Sequence, residues 1–225
     1  MMMQTITTER NLRMNYLVKQ NSDYLHSLEA KVLSSESTDN ISLIIKGLNF
    51  AKEIEYEHPG QSKEVYLAHP FRVSCIYKDI VKPNKLDGIL LAILHNIYEV
   101  TATNNSSCNK FFSKNICDAI SILTIDRSLQ NDKHYLEVYY KKISDSDDFV
   151  CQIKALDKLD NLFLLCLNPS ESVRLNYLKE IEEFVLPIVK MHMSHLFDYY
   201  ISVIDDVKKT GHFSIDEFKK ENIWK

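Results

Sequence analysis

Residues 84–100 read NKLDGILLAILHNIYEV, from Asn84 to Val100, and this stretch decides the fold. Leu86, Ile89, Leu90, Ile93, Leu94 and Ile97 leave little of it polar. A helix that is apolar on nearly every face belongs in the interior of a bundle. The spacing predicts one helix over the whole of 84–100, at the centre of an all-α domain. His95 and Glu99 then stand at i and i+4 on one helical face. Gly88 and Ala92 continue that face upstream, where small side chains leave room for a ligand or a partner backbone.

Composition agrees with helices. The 225 residues include 4 Gly and 5 Pro, too few for the many tight turns of a sheet protein. Residues 8–33 carry apolar positions suited to one or two amphipathic helices. After a polar break at 34–40, Asp39 is placed to cap a helix over 40–57. His58-Pro59-Gly60-Gln61 signals a turn. Pro70 suits the first turn of a short helix ending near Lys82-Pro83. Two further helices are expected over 106–125 and 132–143. Asp145-Ser146-Asp147-Asp148 reads as a helix N-terminus, opening a helix to about Leu167. Asn168-Pro169-Ser170 separates that helix from a long one carrying Pro187, and 213–224 forms a last short helix. The expected organisation is an N-terminal helical extension over 1–37, a helical domain over 38–204 and a C-terminal tail over 205–225.

Several function classes are excluded. A net charge of −4 and a pI near 6.1 do not suit a nucleic-acid binder. No run approaches the ~20 apolar residues of a membrane span, and residues 1–10 lack an apolar signal core. The five cysteines form no CxxC pair, which suits reduced thiols in a cytoplasm. Neither common Gly-rich phosphate loop is present.

Polar residues on apolar helices mark the candidate site. They are His69 before Pro70, His95 with Glu99, and Asp157 with Asn161 at i and i+4. Two histidines and an aspartate are a suitable ligand set for a divalent ion of the zinc, manganese or iron type. Such an ion polarises a phosphoryl oxygen and activates water, and Glu99 is placed to handle the proton. His192 and His195, at i and i+3, are read as ordinary helix residues.

Three motifs in order carry a family resemblance. Tyr66-Leu67-Ala68-His69-Pro70 resembles the YxxHP segment of the RelA/SpoT-type alarmone hydrolases, a branch of the HD superfamily. Residues 94–101, LHNIYEVT, resemble their LHDxxEDT segment, and 153–162, IKALDKLDNL, resemble vKLADxxxNL. Between them, Leu123-Thr124-Ile125-Asp126-Arg127 with Tyr135 and Tyr139 is similar to the family's LTR…Y…Y stretch. The resemblance covers about residues 50–187 and implies an HD-domain helical bundle. It further implies a metal-dependent phosphohydrolase binding manganese, with iron or zinc as alternatives. His69, His95, Asn96 and Asp157 take the metal positions, Glu99 and Asn96 the catalytic ones, and Asn161 a nucleotide-contacting one. The implied partner is a small phosphorylated nucleotide such as guanosine tetraphosphate.

The chain also departs from that pattern. Asn96 stands where the family has its HD aspartate, and Val100 where it has the second acid of its Glu-Asp pair. A neutral amide is a poorer metal donor than a carboxylate, so one net positive charge remains on the ligand set. The basic segment before YxxHP is shortened to 58–65, with Lys63 its only full positive charge. Lys158, with Lys154 and Arg174, is a candidate to supply the missing cations for substrate. The second reading is therefore a catalytically impaired HD-fold protein that binds a nucleotide or a partner.

Overall fold

The computed structural model describes residues 5–19, 22–34, 36–56, 63–101 and 103–222. In chain order its α-helices are α1 (Ile6–Lys19), α2 (Ser22–Leu33), α3 (Thr38–Glu53), α4 (Lys63–Ile80) and α5 (Leu86–Leu94). Next come α6 (Ile97–Val100), α7 (Asn105–Cys108), α8 (Lys114–Leu123), α9 (Lys133–Ser144) and α10 (Asp148–Leu162). The last four are α11 (Glu171–Glu180), α12 (Leu186–His192), α13 (Phe197–Thr210) and α14 (Ile215–Asn222). No strand occurs among the described residues, so the all-α expectation holds. No described helix is long and apolar enough to cross a membrane.

The chain forms two compact units. The larger, residues 22–156, is organised around α5, in which every residue from Gly88 to Leu94 is buried. It packs against α3, α4 and α8, as the apolar pattern of 84–100 requires. The room expected beside Gly88 is taken by a neighbouring ring. A Cβ on Gly88 would lie 2.2 Å from Cζ and Oη of Tyr77 on α4. That tyrosine is itself 1% exposed, and its hydroxyl accepts the Lys85 N–H. Gly88 therefore serves the close approach of α4 to α5 rather than a ligand.

Helix boundaries correct the sequence reading in several places. Ser37, not Asp39, caps α3. Both residue types can cap, but the serine side chain meets the Asn40 N–H and places Asp39 inside the first turn. The helix expected over 40–57 ends earlier, at Glu53, where Ile54 turns to an extended conformation and its N–H meets the Phe50 carbonyl; the turn expected at 58–61 lies outside the described residues. Pro70 sits in the middle of α4, not in its first turn. It has no N–H to donate to the Tyr66 carbonyl, but the buried flanks of the helix hold it together. The segment 106–125 is split by Ser113, which caps α8 through the Ile116 N–H. Cys108 and Cys117 are disulfide-bonded, contrary to the expectation of reduced thiols throughout. The short α7 brings the two Cα atoms to 6.0 Å, the usual span of such a bond. Cys75, Cys151 and Cys166 are buried thiols.

The second unit comprises residues 1–21 and 157–225. The N-terminal extension is thus divided, with α1 in this unit and α2 in the other. Arg13 of α1 donates from Nε and Nη2 to one carboxylate oxygen of Asp160, at 2.9 and 2.7 Å. Both side chains are buried, and Arg13 also pairs with Glu9 one turn earlier at 2.6 Å. Beside this pair Met14, Cys166 and Phe218 form a small apolar core. The long helix expected to carry Pro187 is interrupted by a π-turn over Ile181–Val185. Widening the helix there accommodates a residue that cannot donate to the preceding turn.

Substituting Gly88→Ala tests the α4–α5 contact. Helix propensity alone would favour alanine by about 1 kcal/mol. Overpacking against a buried ring costs about 1–3 kcal/mol or more. We expect urea unfolding to show a net loss of stability, and an unchanged midpoint would mean that Tyr77 does not occupy this contact.

Candidate metal centre

The site begins where α5 stops. In an uninterrupted helix the Ala92 carbonyl would accept the Asn96 N–H. Instead Nδ1 of His95 lies 2.8 Å from that carbonyl oxygen. A carbonyl can only accept, so the imidazole donates and its Nδ1 carries the proton. The lone pair of the neutral ring is then on Nε2. The helix predicted over 84–100 is consequently two helices, with a turn at His95-Asn96 between α5 and α6. His95 and Glu99 do not share one continuous helical face.

Nε2 of His95 lies 3.3 Å from Nε2 of His69, with the two rings inclined at 73°. Two nitrogens bound at about 2.1 Å to one ion, at angles of 90–110°, stand about 3.0–3.4 Å apart. The observed separation fits that span. Asp157, the tenth residue of α10, completes the group, with ligand atoms of His69, His95 and Asp157 all within 4.8 Å of one another. Nδ2 of Asn161, one turn further along, donates to Oδ1 of Asp157 at 2.9 Å. This contact orients the carboxylate in the way that outer partners orient metal ligands. The donor set of two imidazoles and one carboxylate suits a divalent metal ion. Asn96 is buried in the intervening turn and makes no side-chain capping bond to α6, so its amide is not committed to the helix end.

Glu99, on α6, faces the segment that joins α8 to α9. Oε1 accepts the backbone N–H of Ile125 at 3.3 Å, and Oε2 accepts Nη2 of Arg127 at 3.4 Å. The Tyr139 hydroxyl donates to the Leu123 carbonyl, and the Tyr135 hydroxyl accepts the Asp126 N–H at 2.7 Å. Asp126 accepts both the N–H and the hydroxyl of Ser128, which holds its carboxyl below the usual range. Sequence reasoning gives Arg127 no role. Its place in the LTIDR stretch was the available signal, but nothing local shows that it reaches across to Glu99.

The expected substrate cations are largely engaged. Lys158 is 7% exposed and pairs with Glu180 at 2.7 Å, its ammonium 4.4 Å from the centre of the Tyr177 ring. Lys154 is buried beside the Tyr139 ring, and Arg174 donates to the Asn168 carbonyl. Lys63, at the start of α4, stands 5.9 Å from the Tyr56 ring. His192 and His195 do not share a helix face, because the chain breaks at Met193 into a short 3-10 turn.

No family model matches the chain, and no curated protein matches it. Among solved structures it is similar to one described as "A metazoan ortholog of SpoT hydrolyzes ppGpp and plays a role in starvation responses". That match has a TM-score of 0.60 and 19% identity, covering 77% of this chain and 97% of the other. At that identity it shows the fold, and the helical HD-type architecture expected from the three motifs is present.

Burial pushes the Tyr177 phenol well above its ordinary 10, and the neighbouring Asp157 and Glu180 carboxylates add to the rise. Burial likewise raises Tyr98 and Tyr199 to about 12. Below pH 10 both folded and unfolded chains hold these protons, so their shifts leave stability unchanged. Above it the unfolded chain loses protons that the folded one keeps, and stability falls by up to about 1.4 kcal/mol per pH unit for each group. We expect unfolding midpoints to drop steadily above pH 10, and Tyr177→Phe to make the drop shallower. An equal slope in the variant would remove Tyr177 from this account.

Proposed function

We propose that the protein is a metal-dependent phosphohydrolase acting on a phosphate ester or pyrophosphate of nucleotide type, of which guanosine tetraphosphate is an example. The observation that carries this reading is the convergence of His69, His95 and Asp157 within 4.8 Å. The shared fold with a protein described as hydrolysing ppGpp supports the substrate class. His69 and His95 would hold the ion through Nε2 and Asp157 through its carboxylate, with the Asn96 amide as a fourth donor. Manganese is the ion we favour over iron or zinc, on the family resemblance of the motifs. Such an ion supplies Lewis-acid polarisation of a phosphoryl oxygen and water activation near neutral pH.

The protein's own groups do the rest. The His95 bond to Ala92 fixes the ring so that Nε2 is aimed at His69. Asn161 fixes Asp157, and in this reading it serves the ligand carboxylate as well as any nucleotide. Glu99 is the proposed proton acceptor, positioned by the Ile125 N–H and Arg127. Lys63 and Lys158 are the proposed substrate cations, Lys158 acting from its place beside Glu180. A nucleotide substrate is consistent with the cytoplasmic setting that we propose.

Metal analysis of protein reloaded with manganese is expected to give about one ion per chain. A nucleotide panel should then show phosphate or pyrophosphate release that His95→Ala abolishes. Absence of a stoichiometric ion would sink the enzymatic reading. The alternative, a non-catalytic binding protein, is suggested by Asn96 and Val100, and turnover lost in His95→Ala rules it out. A separate measurement concerns Asn161. Its change to Ala should weaken manganese binding about 10- to 100-fold by calorimetry, and unchanged affinity would deny it the positioning role.

A further inference from the structure

We infer that Arg127 is the residue that grips the anionic group of the ligand, and that it rests on Glu99 until a phosphate displaces it. This builds on the reading of the site as one for phosphate esters. A multiply charged phosphate needs cations, and the segment 58–65 supplies only Lys63. Lys158, proposed above as a second cation, is buried against Glu180 and shares its charge with it, and Arg174 faces a carbonyl. Arg127 is different on three counts.

First, its side chain is 45% exposed while the Glu99 carboxylate that it meets is 11% exposed. The guanidinium therefore lies on the solvent side of a carboxylate that belongs to the site. Second, the contact is a single one, at 3.4 Å. An exposed pair of this kind is weak and screened by salt, whereas a guanidinium takes two phosphate oxygens in parallel. Exchange of a carboxylate for a phosphate is favourable. Third, the backbone leading into Arg127 is fixed by Tyr139 at Leu123 and by Tyr135 at Asp126. Ser128 closes the turn onto the Asp126 carboxylate. The loop is built to present one long cation, not to let it wander. When Arg127 leaves, Glu99 keeps the Ile125 N–H as its anchor.

The test is equilibrium titration of the full chain, as purified, with inorganic pyrophosphate. Arg127→Gln should weaken binding about 10- to 100-fold, the range for losing a charged hydrogen-bonding partner. Its affinity should also depend less steeply on salt, and Arg127→Lys should recover part of the loss. Glu99→Gln should tighten pyrophosphate binding several-fold, because the competing carboxylate is gone; a merely structural role for Arg127 predicts no such gain. Equal affinity in the unaltered chain and Arg127→Gln overturns the inference, as does failure of the unaltered chain to bind pyrophosphate. Manganese titrations of the same proteins are read separately. Loss of metal binding in all of them would count against the hydrolase, while the Arg127 comparison still decides this inference.

Discussion

The carbonyl of Ala92 has two candidate donors, the Asn96 N–H of the continuing helix and the imidazole of His95. The imidazole takes it, and much of the site follows from that choice. The helix ends inside the core, where an interruption is costly unless the freed polar groups find partners. The ring is fixed in one orientation and one tautomer, which turns Nε2 toward His69. Asn96 falls into a turn rather than a helix, and α6 starts on a new heading. Glu99 is therefore aimed at the loop after α8 instead of lying above His95.

A second constraint acts on α10, where Asp157, Lys158 and Asp160 are all buried. Buried charges persist only when they are matched. Lys158 is matched by Glu180 and Asp160 by Arg13, and these are charge-to-charge contacts. Asp157 receives the neutral amide of Asn161. Such an amide orients a carboxylate without adding a charge of its own. The same four-residue stretch thus separates into residues that tie the unit together and one residue suited to a ligand.

The sequence showed the helical bundle and the burial of residues 86–97 because apolar periodicity reports burial directly. It also showed the helix beginning near 132 and the break at 168–170, where the structure places Asp132 and Ser170 as caps of α9 and α11. The break at His95 was not legible, because the donor that ends the helix is a side chain of the helix itself and no Gly or Pro marks the place. Gly88 was misread for a related reason. A small residue signals close approach, but only the fold shows that Tyr77 is what approaches. The pairing of Cys108 with Cys117 escaped an argument from odd number, which cannot tell two bonded cysteines among five. Of the site, the histidines and Asp157 were legible as motif residues, whereas the engagement of Lys158 and Arg127 depends on contacts far along the chain.

The two departures from the alarmone-hydrolase pattern are not physically equivalent. Val100 is 1% exposed, at the buried end of α6. A carboxylate there would have to be matched or would lose its charge, so valine is a stable choice for this packing and not only a missing acid. Asn96 is also buried, at 8% exposure, but in the turn between α5 and α6. An aspartate in its place differs by one charge and almost nothing in shape. A change of metal affinity after Asn96→Asp would therefore report on electrostatics at the site. The same change after Val100→Asp would mix electrostatics with damage to the core. Glu99 stands between these two positions, and its carboxylate already has the Ile125 N–H and Arg127. The charge that the family draws from a second acid has no counterpart at Val100.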